Sequence, residues 1–123
     1  MTAAKQQLAA AGFVLKDTLK ELELSMGVGD GGKKTRHIIE VSQGDCRRIA
    51  ENIKSRACYN TSYMNVADVM EVNTLHGSGK KENACRVNNG YFYERKTPDG
   101  YRYKIYIDTI EQKLYYTRIS YIL

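Results

Sequence analysis

The chain of 123 residues has no Trp, two Phe and two His, and its three Cys show no C-x-x-C spacing and no neighbouring His. The missing Cys and His pattern argues against a structural zinc site, and no metal or cofactor is expected. No run of apolar residues approaches the eighteen or so that a membrane span requires, and the first fifteen residues lack the charged-then-apolar order of a signal peptide. The expectation is a soluble chain with no membrane span. A glycine-rich run, Gly27 to Gly32 followed by Lys33, comes near the phosphate-loop pattern. It fails because Lys34 stands where Ser or Thr is required and a helix is expected before the loop rather than after it.

Against those absences stand ten Tyr and a net charge of +5. Tyr in that number, without Trp, favours half-buried strands whose rings keep the hydroxyl wet. The charge permits an anionic partner without demanding one. The length suits a single domain, 1–123, with a modest two-layer core.

The cleanest periodicity is Cys46, Ile49, Ala50, Ile53 and Ala57, one apolar stripe that predicts a helix over 44–57 starting near Ser42. Ser42 and Asp45 are spaced like a capping box, with the carboxylate on the positive end of the helix dipole. Arg47, Arg48, Lys54 and Arg56 fall on its outer, solvated face. Ala4, Leu8, Ala11, Leu15, Leu19 and Leu22 recur at steps of three and four, which predicts a long amphipathic helix over 3–24. His37 to Val41 reads as a short strand feeding the second helix, and one strand is expected within 63–73. Leu75 to Asn83 reads as an exposed loop. The last third is the surest. Tyr91 to Lys96, the turn Thr97-Pro98-Asp99-Gly100, and Tyr101 to Asp108 form a hairpin, and Lys113 to Leu123 adds a third strand. The predicted fold is α+β: a long N-terminal helix packed on an antiparallel sheet that contains this C-terminal three-strand meander, with a second short helix.

Two constellations bear on chemistry. His37 and His76 could act as an acid/base pair of the kind a metal-independent ribonuclease uses, with Lys33, Lys34, Lys80 or Lys81 stabilising the phosphorane. Neither His lies in a motif that names a reaction, so the catalytic reading stays an alternative. Tyr91, Phe92, Tyr93, Tyr101, Tyr103, Tyr115 and Tyr116, with Arg95, Arg102 and Lys104 nearby, could form a stacking platform for single-stranded nucleic acid. Lys33, Lys34, Arg36, Lys80 and Lys81 are the candidate anion or nucleic-acid contacts.

The order of long helix, short strand, Val41-Ser42-Gln43-Gly44-Asp45-Cys46 opening a helix, and Asn83-Ala84-Cys85 entering a strand resembles the soluble domains of type IV pilins, especially the type IVb and minor pilins. The resemblance covers roughly residues 36–96. It implies a non-enzymatic filament or secretion subunit, partnered by copies of itself or related subunits and exported to the periplasm or cell surface. It also implies a Cys46–Cys85 disulfide with Cys58 left over, closing a loop of about forty residues that would contribute something like 3–4 kcal/mol. Three free thiols would point instead to the cytoplasm. A small basic bacterial ribonuclease toxin or a nucleic-acid-binding domain is the alternative function.

Overall fold

A computed structural model describes residues 3–27, 33–71, 81–98 and 100–120. Its elements run α1 (Ala3–Ala10), β1 (Thr18–Gly27), β2 (Lys33–Val41), α2 (Gln43–Lys54), β3 (Tyr59–Met64), α3 (Val66–Glu71), β4 (Glu82–Val87), β5 (Gly90–Lys96), β6 (Tyr101–Asp108) and β7 (Lys113–Ser120). The strands form one seven-stranded sheet in the order β1-β2-β7-β6-β5-β4-β3. All neighbours are antiparallel except β3 and β4, which run parallel.

The long first helix is the main correction. Helix α1 stops at Ala10 because Gly12 takes a left-handed φ of 95°. Phe13 N then donates to Leu8 O at 2.8 Å and Gly12 N to Ala9 O at 3.0 Å, the paired bonds of a glycine-terminated helix end. Beyond it, residues 18–27 form an edge strand that pairs with β2, Glu21 opposite Ile39 and Glu23 opposite His37. Leu22 and Leu24 alternating with Glu21 and Glu23 satisfy a period of two as well as a helical step, and the waiting edge of β2 decides between them.

A second correction falls between the helix and the hairpin. The strand expected within 63–73 is split: β3 ends at Met64, and Val66–Glu71 is the short helix α3. The C-terminal meander matches its prediction as far as Ser120, residues 121–123 lying outside those described, with Tyr103 opposite Arg95 on one side and Arg118 on the other. Helix α2 begins as expected, Asp45 N donating to Ser42 Oγ at 3.1 Å.

Because strand side chains alternate, the sheet has two unlike faces. On one, Tyr93, Ile105, Ile107, Leu114, Tyr116 and Ile39 are covered by Ala4 and Leu8 of α1 and by Ile49 and Ile53 of α2. On the other, Cys85, Val87, Phe92 and Tyr106 pack with Val69 of α3. Asp45 ties the first layer together. It is fully buried, and its carboxylate accepts from Lys16 N and Asp17 N and pairs with the Arg48 guanidinium. That places the chain leaving α1 directly over the start of α2.

The cysteines follow from the two faces. Cys46 lies in the core under α1 and α2, while Cys85 points to the opposite core beside Phe92. All three thiols are free. The sheet itself stands between Cys46 and Cys85, so the implied bridge is corrected on geometric grounds. Burial raises the Cys85 thiol to about 11 and raises Cys46 as well; it raises Tyr93 and Tyr106 to about 12. Each of these groups ionises at lower pH in the unfolded chain, so the stability that goes with their neutral forms is fully present below about pH 9 and is lost as pH rises through about 11 for Cys85 and about 12 for the two tyrosines. Denaturant midpoints are expected to hold between pH 8 and 9 and to fall from pH 9 toward 12, and a flat profile would contradict the burial. At neutral pH, half-buried Cys58 is expected to alkylate well before Cys46 and Cys85.

Candidate nucleic-acid interface

The sheet order brings together lysines that lie far apart in sequence. Strand β2 begins with Lys33 and Lys34, and Lys33 sits opposite Ser120 at the end of β7. Ser120 in turn faces Tyr101 at the start of β6, and Arg102 faces Lys96 at the end of β5. Lys96 N donates to Lys81 O at 2.9 Å, just before β4. One end of the sheet, five strands and about 19 Å wide, therefore presents Lys33, Lys81, Arg95 and Lys96 exposed, with Lys34 and Arg118 half-buried. On those strand ends, among the described residues, the carboxylates are half-buried Glu82 and buried Glu94, the latter 3.7 Å from Arg102. The opposite end is mixed in sign, with Asp17, Glu40, Asp108 and Glu111 beside Lys16, Lys20 and Lys113.

Aromatic rings are set into the basic end. The ring of Tyr103 lies parallel to that of Tyr116, 6.0 Å away with 6° between planes, and Tyr116 stacks on His37 at 5.7 Å. Outward from Tyr103, the Arg118 guanidinium sits 3.9 Å from the Tyr101 ring centre and 5.9 Å from that of Tyr103. The result is a ladder: His37 and Tyr116 buried, Tyr103, Arg118 and Tyr101 half-exposed. Its inner end is fixed by polar contacts. Tyr116 OH donates to Gln7 Oε1 at 2.7 Å, and His37 Nδ1 lies 3.1 Å from Glu21 Oε1. Burial pushes the Tyr116 hydroxyl well above its ordinary value, which keeps it a neutral donor.

The candidate residues divide accordingly. Lys33, Lys34 and Lys81 reach the same end of the sheet, Lys33 on the face that carries Tyr101 and Tyr103 and Lys34 on the other. Arg36 lies on the second face, its Nε donating to Thr117 Oγ1 at 3.4 Å. His76 and Lys80 lie outside the described residues. His37 is only 6% exposed, so a substrate cannot reach it without opening the core, and its neighbours position it as a rung and a hydrogen-bonding group. Of the tyrosine set, Phe92, Tyr93 and Tyr116 are core residues, Tyr91 is half-buried beneath Lys54, and Tyr115 stacks on Tyr106 on the second face. Arg102 and Lys104 are buried there too. Only Tyr101 and Tyr103 combine partial exposure with the basic end. Sequence reasoning passed over Arg118, although the hairpin register that sets it opposite Tyr103 follows from the two strand alternations.

Among the described residues, no cluster of three His, Cys, Asp or Glu side chains is placed to hold a metal ion, and no helix is long and apolar enough to cross a membrane. No family model, curated protein or solved structure matches the chain.

Proposed function

We propose that this chain is a nucleic-acid-binding module that takes the phosphate backbone of its ligand across the basic end of the sheet. The observation that carries the reading is the convergence of Lys33, Arg95 and Arg118 around Tyr101 and Tyr103 on one face of a sheet end that also carries Lys34, Lys81 and Lys96. Gathered charge with interleaved aromatics is what separates a nucleic-acid surface from ordinary solvated lysines. Contact with about four phosphates of a single strand would give a plot of log affinity against log salt a slope near −3.

Lys33→Glu together with Lys96→Glu tests this. Both side chains are exposed, so the melting temperature should barely move. Affinity for a short oligonucleotide at low salt should fall roughly ten- to hundredfold, and the salt slope should become shallower by about 1.4 for two lost contacts. Unchanged binding would place the ligand elsewhere. RNA should be recovered intact after incubation, because the one described histidine is buried; cleavage abolished by His76→Ala would favour the ribonuclease reading.

A pilin-type subunit is the second reading. It is supported by the passage from strand to capped helix at Val41 to Cys46, while the long helix and bridge that the resemblance implies are not features of this fold. Concentration-dependent filaments of the purified chain would favour it.

A further inference from the structure

We infer that the nucleic acid is single-stranded and that one of its bases stacks on the outer end of the ladder formed by Tyr101, Arg118 and Tyr103. This rests on the reading of the basic end as a nucleic-acid surface and names what that surface takes. Three features of the ladder lead there. Its rungs are ordered from the core outward, so Tyr103 is held against buried Tyr116 at 6.0 Å and is already fixed before any ligand arrives. Tyr101 and Tyr103, with centroids 6.3 Å apart, are only half covered by the chain, and a π-face on a cationic surface is the feature that unpaired bases seek. Arg118 is held by ring faces rather than by an acid. Its guanidinium lies 3.9 Å from the Tyr101 centre, its buried Nε has no hydrogen-bond partner among the described residues, and no described carboxylate forms an ion pair with it. Its charge is therefore not cancelled locally and can be directed at a phosphate next to the stacked base.

Register sets the track around this point. Tyr103 lies between Arg95 on β5 and Arg118 on β7, and Tyr101 reaches Lys33 through Ser120. Cations thus flank the rings on both sides, which suits a strand whose phosphates run past while one base turns inward. A duplex keeps its base faces inside the stack and can offer this surface only phosphates, so the ladder adds affinity for a single strand alone. Nothing in the ladder addresses a 2′-hydroxyl, so RNA and DNA single strands should bind comparably.

The test compares ligands of equal phosphate number by fluorescence anisotropy: twelve-residue oligothymidylate and oligouridylate, an abasic strand of the same length, and a blunt duplex. The absence of Trp lets intrinsic tyrosine emission report ring contact in the same samples. The two base-bearing strands should bind about five- to hundredfold more tightly than the abasic strand, the span expected for one stacked base, and should quench the tyrosine signal. Tyr101→Ala should bring them toward the abasic value, and Tyr101→Phe, which keeps the ring under Arg118, should keep the advantage. If wild-type protein binds the abasic strand and the duplex as well as the base-bearing strands, with a steep salt dependence, the stacking inference is overturned and the basic-end reading stands. If it binds none of them, both fall.

Discussion

Replacing Gly90 with Ala is expected to leave the protein unfolded or insoluble at 25 °C, with loss of cooperative melting by circular dichroism. A Cβ built on Gly90 would lie 1.7 Å from the backbone oxygen of Ile107 and 2.8 Å from its carbonyl carbon. Those atoms belong to β6, itself held between β5 and β7, so the clash cannot be relieved by turning a side chain. Either β5 leaves β6 where Gly90 faces Asp108, or the ladder is broken at that point. The cost should exceed about 4 kcal/mol, the range in which single substitutions remove most of a small domain's stability. A Gly90→Ala protein melting within a few degrees of the parent would mean that the two strands do not approach this closely. The neighbouring Asn89→Ala is a suitable comparison, since Asn89 is exposed and is used through its backbone oxygen, which accepts from Thr109 N and Oγ1.

The second large effect is expected at Asp45. Its carboxylate accepts from Lys16 N at 3.1 Å and Asp17 N at 2.9 Å while pairing with Arg48, and the residue is fully buried. Asp45→Ala leaves two backbone amides unsatisfied and a guanidinium without its acid. Water can reach part of that site because Lys16, Asp17 and Arg48 are exposed, so the cost should be about 2–4 kcal/mol rather than the full penalty of a sealed ion pair. In a chain of this size that is a drop of roughly 10–20 °C in melting temperature. Ser42→Ala, which removes only the cap bond to Asp45 N, should cost about 1 kcal/mol. Equal effects at the two positions would reduce Asp45 to a local cap and contradict its role in fastening the α1–β1 connection to α2.

The contrast between Ser42 and Asp45 shows where sequence reasoning stops. The Ser-x-x-Asp spacing and the stripe of Cys46, Ile49, Ala50 and Ile53 determine a capped helix near the right residues, because both signals are local to the helix. They cannot tell that the carboxylate also holds residues twenty-eight and twenty-nine positions earlier. The meander was legible for the same reason as the helix: alternation in each strand and the Pro98–Gly100 turn are short-range facts, and adjacent strands joined by short connections pair with each other.

What the sequence determined by itself was thus α2, the C-terminal meander, the absence of a long apolar span and the set of basic residues. Tertiary structure decided the rest. Residues 18–27 satisfy a helical and a strand period together, and only the open edge of β2 selects the strand, with Gly12 ending the helix that would otherwise continue. Cys46 and Cys85 resemble a bridged pair along the chain, but α2 lays Cys46 over one face of the sheet while the alternation of β4 turns Cys85 to the other. Lys33, Lys81 and Arg118 lie in three distant segments, and nothing local connects them. Placing β7 between β2 and β6, and β4 beyond β5, carries their charges to one end, because a sheet assembles its surface from register rather than from sequence order.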